Sequence, residues 1–589
     1  MTASPVREGP MFLPTTKKEL QTLGWDRLDI ILVSGDCYID SPFVGIAVIG
    51  KVLLDAGFKV GVIGQPDTES EADIMRLGTP RLFWGVSAGC IDSMIANRTA
   101  SGKKRRSDDY TPGGENNRRP DRAAIAYSNL IKKHSRQNPR PIVLGGIEAS
   151  LRRIAHYDFW TESVRRSILF DAKADYLLYG MSERSVVELA NALRDGKDPK
   201  GVRGLCYISK DLPQDALELP SFQDAATDKE AFTVAFRAFY ENNDPATART
   251  IAQKQDTRYL VQNPPGPYLT QEELDKVYAL RYERDAHPHH LKDGTVKALE
   301  TIRFSISTHR GCYGECSFCA IAVHEGRRIR SRSKASIIAE AKEIARHPLF
   351  KGRIHDVGGP SANMYATGCS RMTENGCCPK KSCITPKVCP LLKFGHAEQL
   401  DILKALRAID GIKKVVVASG IRHDLVLADR ENGERYLKEI VTHHISGMMK
   451  IAPEHSEPAV LEKMGKAGCD KEALKRFKEL FYRFTAEAGL KQFLSYYLMA
   501  AHPGCTLDDM KRLREFALKE LGSLPEQVQV FTPTPSTYST LIYWTGCDPY
   551  TGKTCFVEKS VRGREEQKTI LAGPSSHGHK DKKSHPYRK

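Results

Sequence analysis

The sequence predicts an α/β protein, an N-terminal Rossmann-like domain followed by a partial (β/α)6 TIM-like barrel. Short aliphatic and β-branched runs alternate with amphipathic helical stretches, the pattern of a parallel sheet covered by helices. The alternation restarts near Thr301, and from there each run empties into a loop rich in glycine, proline or cysteine. A length of 589 residues exceeds the size at which one core stops growing, so more than one unit is expected.

In the first unit, 1–212, residues 30–33 form a short strand that ends at Ser34-Gly35-Asp36. Residues 43–56 carry apolar side chains at helical spacing, and 59–64 read as the next strand. Further strands fall at 82–86, 142–144 and 175–180, with a helix from Ser182 through Leu193. Ligands of open sheets sit at the carboxyl ends of the strands. That rule places Asp36, Tyr38, Asp40, Gly146 and Glu148 on one rim. Residues 213–298 read as a helical and extended connector, because the successive prolines of 261–267 exclude helix. His287-Pro288-His289-His290 within it reads as a turn rather than a metal site.

The barrel, 299–556, has strands at 302–307, 354–357, 414–419, 448–452, 493–499 and 528–531. Active residues of such barrels lie at the carboxyl ends of the strands. Residues 557–589 read as a basic, disordered tail.

Composition narrows the function. Fifteen cysteines without a secretory leader argue for metal or thiol chemistry in a reducing, cytoplasmic setting rather than a disulfide framework. No apolar run is long enough to suggest a membrane span. The formal charge of +16 is compatible with an acidic macromolecular substrate, although much of it sits in local runs such as 102–122.

Cys312, Cys316 and Cys319 stand in a C-x3-C-x2-C spacing on one loop, loosened by Gly311 and Gly314. Iron–sulfur clusters are normally held by four thiolates, so three leave one iron open to another ligand. Structural zinc takes four closed ligands. A non-catalytic nucleic-acid-binding protein with structural zinc is therefore the rival reading. A second group, Cys369, Cys377, Cys378, Cys383 and Cys389, is punctuated by prolines. Four of them, Cys369, Cys383 and Cys389 with one of the adjacent pair, here Cys378, would close an auxiliary iron–sulfur or zinc site. Cys547 and Cys555 form a weaker pair.

The motif after a short strand, with Phe318 just before the third cysteine, resembles the radical S-adenosylmethionine (SAM) enzymes. The resemblance implies a [4Fe-4S] cluster on Cys312, Cys316 and Cys319 whose open iron chelates SAM. Reduction then releases a 5′-deoxyadenosyl radical that abstracts a hydrogen from substrate, with electrons from a flavodoxin- or ferredoxin-like donor. Gly358-Gly359-Pro360 resembles the glycine-rich motif that meets the SAM amino group, with proline where an acidic residue is commonest. Ser419, Gly420, Arg422 and Glu454 are matched to ribose or carboxylate contacts. Arg327, Arg328, Arg330 and Arg332 are placed to pair with a carboxylate or to lead into a helix.

The order PIVLGGIEAS, helix, ADYLLYGMSE resembles the cobalamin-binding-like domain that precedes some radical SAM cores. The loop from Asp36 to Pro42 lacks the histidine that would ligate cobalt, which makes cobalamin an unexpected cofactor. The strings GGIEASLRRIAHYDFW, TPGGENNRRPDR, STHRGCYGECSFCAI, GGPSANMY and MKIAPEHSEP together resemble the YgiQ-type radical SAM proteins over nearly the whole chain. That resemblance implies a SAM-cleaving barrel and names no substrate. Methyl or methylthio transfer, modification of a protein or nucleic acid, and small-molecule rearrangement all stay open.

Overall fold

The structure is a computed structural model and describes residues 12–379, 382–522, 524–525 and 528–572. The expected basic stretch 573–589 lies outside the described residues.

The N-terminal half is built on one nine-stranded sheet. Its strands are β1 (Ile30–Ser34), β2 (Val60–Gly64), β3 (Phe83–Ser87), β4 (Ile142–Gly145), β5 (Tyr176–Leu178), β6 (Leu205–Ser209), β7 (Leu217–Leu219), β8 (Ile251–Gln255) and β9 (Arg258–Gln262). They lie in the order β7-β8-β9-β6-β5-β4-β3-β1-β2. β2, β1, β3, β4 and β5 run parallel, and β6 turns antiparallel to β5. β1 is flanked by β2 on one side and β3 on the other, so the chain reverses its direction of travel across the sheet there. Such a switch point opens a crevice at the carboxyl ends of the strands. The helices α1 (Gly45–Asp55), α2 (Ala123–His134), α3 (Gly146–Leu151) and α4 (Glu183–Arg194) follow the parallel strands. β1 is buried along its whole length because apolar cores cover both faces of the sheet.

The stretch expected to be a connector corrects the sequence reading. Residues 213–298 supply β7, β8 and β9 to the sheet, the last two as an antiparallel pair from Ile251↔Gln262 to Gln255↔Arg258. The turn at Asp256 has a positive φ, the hairpin signal hidden in QDTR. His287 caps a short helix, Pro288–Leu291, and its Nε2 lies 2.9 Å from the Glu19 carboxylate.

The second half carries six parallel strand positions in chain order. β10 (Ser305–Ser307) pairs with β11 (Asp356–Gly358), and Arg353–Ile354 just upstream of β11 pairs with β12 (Lys414–Val415). β13 (Met448–Glu454), β14 (Phe493–Ala500) and β15 (Val528–Val530) form a parallel group, and an Ile421↔Ile451 bridge ties them to the segment after β12. The result is an open parallel barrel. Helices α5 (Ile321–Glu325), α6 (Lys334–Ala345), α7 (His396–Arg407), α8 (His423–Ala428), α9 (Lys471–Glu487) and α10 (Leu507–Phe516) lie along it. Its core takes in Tyr157, Phe159 and Phe232 from the N-terminal half, so the two halves share buried surface.

The expected disordered tail also needs correction. Residues 561–572 form α11 (Val561–Ala572), whose Leu571 is fully buried against the barrel. Gln567 accepts a hydrogen bond from the Ala501 N–H at 2.8 Å and donates to the Cys505 carbonyl at 3.0 Å.

Candidate functional site

Thr308 to Arg310 lead from β10 into the cysteine loop. Gly311 turns it at φ 88°, where a Cβ would collide with the Arg328 carbonyl. The loop is pinned by Cys312 N–H to Gly326 O at 3.1 Å, Cys319 N–H to Cys316 O at 2.9 Å and Ser317 N–H to Met464 O at 2.9 Å. Burial first, and the neighbouring thiols second, push Cys312 and Cys319 up to about 12. Thiols packed together out of water resist ionising unless a cation joins them, which is the situation a metal centre relieves. Among the described residues no three His, Cys, Asp or Glu side chains converge on a single-ion site. A multi-iron cluster is itself several atoms across and takes its thiolates at wider spacing than one ion does. The donor set fits such a group.

Arg422, expected at ribose or carboxylate, lies beside the cysteine loop. Asp424, two residues on, holds the guanidinium at 2.5 Å, and Arg422 donates to Cys316 Sγ at 3.4 Å and Cys469 Sγ at 3.6 Å. It therefore supplies positive charge directly at the cysteine loop.

The loops after β11 and β12 meet, and Asp356, a residue not singled out from the sequence, ties them together. Asp356, at the start of β11, accepts from Ala418 N–H at 2.7 Å, Ser419 N–H at 3.0 Å and the Ser419 hydroxyl. Gly358 lies against Ser419, and Gly359 lies against His309, where a Cβ would stand 2.6 Å from the ring. Pro360 lines the same space. Glu454 ends β13 with a positive φ and lies 3.4 Å from Lys466, a buried lysine that also donates to the Ala452 carbonyl. Phe318 faces His502 edge-on.

The basic run is committed elsewhere. Arg327 pairs with Glu315 at 2.6 Å, Arg330 lies over the Tyr268 ring, and Arg332 pairs with Glu340. These contacts favour the structural reading of Arg327, Arg330 and Arg332. The rim residues of the first domain are similarly tied. Asp36 meets Arg119 at 2.5 Å, Asp40 meets Lys51 at 3.1 Å and the Tyr38 hydroxyl, and Glu148 accepts from Ser93 and Ala124. Gly146, at φ 81°, leaves room for the Ser87 hydroxyl.

Among the second cysteine group, Cys383 feels Cys389 and Cys369 as neighbours, while burial pushes its thiol up to about 12. Cys389 N–H donates to the Cys383 carbonyl at 2.8 Å. Cys383 and Cys389 pack with Cys312 around Tyr313 and Met364, which brings this insertion against the first loop. Cys377 is drawn away by Asp244, and Cys378 offers its carbonyl to Arg327 at 2.9 Å.

A cavity of about 500 Å³ separates the carboxyl edge of the sheet from the barrel mouth. Gly146 and Glu183 line it from one side, and His309, Arg310, Gly359 and Ser419 from the other. Arg310 forms a buried ion pair with Glu183 that joins the two halves. His309 and Glu183 were not singled out from the sequence. The string THRGC held the histidine in plain view, yet one histidine beside a cysteine motif carries no distinguishing pattern.

The open parallel barrel, with three cysteines at its carboxyl mouth, defines an enzyme of the radical SAM class. Family models for the radical SAM N-terminal region and the radical SAM superfamily match residues 12–305 and 306–517. The chain belongs to the UPF0313 family: it is 54% identical over 560 residues to a UPF0313 protein of Fusobacterium nucleatum, covering 95% of this chain and 98% of the relative. A UPF0313 protein of Thermotoga maritima is 47% identical over 561 residues, covering 95% and 98%. Among solved structures, the radical SAM methyltransferase TsrM of Kitasatospora setae, with cobalamin and a [4Fe-4S] cluster bound, shares the fold. Its TM-score is 0.51 at 15% identity, over 92% of this chain and 84% of that one.

Proposed function

We propose that this radical SAM enzyme holds a [4Fe-4S] cluster on Cys312, Cys316 and Cys319 and binds SAM along Gly358, Gly359, Pro360, Ser419 and Glu454. The observation that carries the reading is the packing of three half-buried thiols on one loop at the mouth of a parallel barrel. When bound, the cluster supplies an open iron for SAM and the electron that breaks its carbon–sulfur bond.

The chain's own groups then position and insulate. Gly358 and Gly359 let Ser419 and the His309 ring pack directly on this backbone, where a side chain would collide. Asp356 holds the Ser419 loop in place, and Arg422 offsets thiolate charge at Cys316. An external reductant, of flavodoxin or ferredoxin type, delivers the electron.

Cys369, Cys383 and Cys389 with Cys378 form the proposed auxiliary metal site. Its signature is about eight rather than about four irons per chain after anaerobic reconstitution. Cobalamin ligated by a histidine of the β1 loop does not fit, because that loop offers Asp36, already paired with Arg119, and no histidine. The zinc-bearing nucleic-acid-binding alternative draws no support from the barrel or the family.

The test is an anaerobic incubation of reconstituted protein with SAM and dithionite, following 5′-deoxyadenosine. Production by the wild type and loss in Cys316→Ala is expected. A native protein carrying zinc at this loop, with no SAM cleavage, would overturn the reading.

A further inference from the structure

The guanidinium of Arg422 is brought to the cysteine loop by its neighbours. Arg422 stands just before α8, and Asn363 clamps its backbone from both sides, accepting from the Arg422 N–H at 2.9 Å and donating to its carbonyl at 3.0 Å. Gly314 leaves the space, since a Cβ there would stand 3.1 Å from Arg422 Nη1. Asp424 fixes the guanidinium side-on, accepting from Nε at 3.0 Å and from Nη2 at 2.5 Å.

The far edge of the fork is aimed at sulfur. Nη1 donates to Cys316 Sγ at 3.4 Å, and Nη2 also reaches Cys469 Sγ at 3.6 Å. The side chains of Arg422 and Asp424 are only 10% and 4% exposed, so their field at Cys316 is weakly screened by water. Lys466, another buried cation nearby, is engaged by the Ala452 carbonyl and by Glu454.

A buried ion pair is weak evidence of stability, because apolar residues of similar volume often serve the fold as well. What such residues could not do is place an N–H and a positive charge against Cys316. The reduction potential of an iron–sulfur cluster depends on net charge and on hydrogen bonds to its sulfurs. Reduction adds one negative charge to the cluster and its thiolates. A cationic donor at Cys316 therefore favours the reduced form, and a carboxylate behind that donor opposes it.

We propose that the Arg422–Asp424 pair sets the reduction potential of a cluster held at Cys316, the arginine raising it and the aspartate limiting the rise. The step it controls is the passage of one electron from the external donor to the cluster, with no bond made and no proton moved. Arg422 acts through Cys316 and is a positioning residue. The inference rests on the radical SAM reading and adds to it the groups that bring the cluster within reach of its donor.

The test is a mediated redox titration of anaerobically reconstituted full-length protein without SAM, followed by electron paramagnetic resonance. The signal followed is the one lost in Cys316→Ala, which separates it from any metal centre on Cys369, Cys383 and Cys389. Asp424→Asn is expected to favour reduction about tenfold at a fixed potential, a rise of about 59 mV for one electron. The double variant Arg422→Met/Asp424→Leu, which leaves no unpaired buried charge, is expected to disfavour reduction about tenfold. Iron bound per chain should match the wild type in both. Equal potentials in the three proteins overturn the proposal, and so do shifts of the same sign in the two variants. Weakened SAM binding in the double variant without a shift in potential also overturns it, by assigning Arg422 to the SAM carboxylate. Absence of any Cys316-dependent signal strikes the radical SAM reading and the proposal with it, whereas a Cys316-dependent cluster of unchanged potential strikes the proposal alone.

Discussion

At the scale of single residues, the site is held by groups that touch one another before any ligand arrives. Asp356 shows the cost of such an arrangement. Its carboxylate takes two backbone N–H groups and one hydroxyl from the loop after β12, and each would be left without its partner in an alanine variant. Asp356→Ala is therefore expected to lower stability by about 1–3 kcal/mol in denaturant titrations. It should weaken SAM binding several-fold and leave the iron content at Cys312, Cys316 and Cys319 unchanged. Unaltered SAM affinity would remove Asp356 from the site. Arg422 teaches the complementary lesson about reading residues singly. Its position after a strand places it on the rim, and the nearby Asp424 fixes the guanidinium beside Cys316. Sequence position locates such a residue on the right rim, and only the local charge pattern says which way it faces.

Elements were legible where hydrophobic periodicity and a loop signal coincided. β1, β2 and β4 are continuous aliphatic runs closed by glycine or serine, the pattern of parallel strands buried on both faces. β8 and β9 escaped notice because IAQKQ and RYLVQ mix polar and apolar residues. Gln253, Gln255 and Gln262 are nevertheless buried, with their amides bonded to Ala155, Ser167 and Arg153. Buried polar strands look like loops to a hydrophobic count. α11 was missed for a similar reason: RGREEQK is charged on its open side, while Gly563, Arg564, Gln567 and Leu571 turn inward. Its importance can be measured. Gln567→Ala leaves the Ala501 N–H and the Cys505 carbonyl unpaired in the interior, and a loss of about 1–3 kcal/mol is expected. Unchanged stability would mean that α11 is dispensable to the barrel.

Across the whole molecule, buried neutral histidines link folding to pH. Burial lowers His156, His309, His324, His423 and His455 to about 4, and His290 and His502 to about 3. In the unfolded chain each returns to about 6.5. Between these values the unfolded state binds protons that the folded state refuses, so stability rises with pH through that window and is fully present above it. These groups lie in both halves and across the cavity between them, so acidification loads the sheet, the barrel and their junction together. The urea midpoint of the cluster-free protein is therefore expected to hold steady from pH 8 to 7, then to fall steeply from pH 6.5 toward 4.5. The decline should begin before paired carboxylates such as Asp158, held down to about 2 by Arg122 against its own burial, start to protonate. A midpoint that stays flat to pH 5 would show that water reaches these imidazoles and that burial does not hold them neutral.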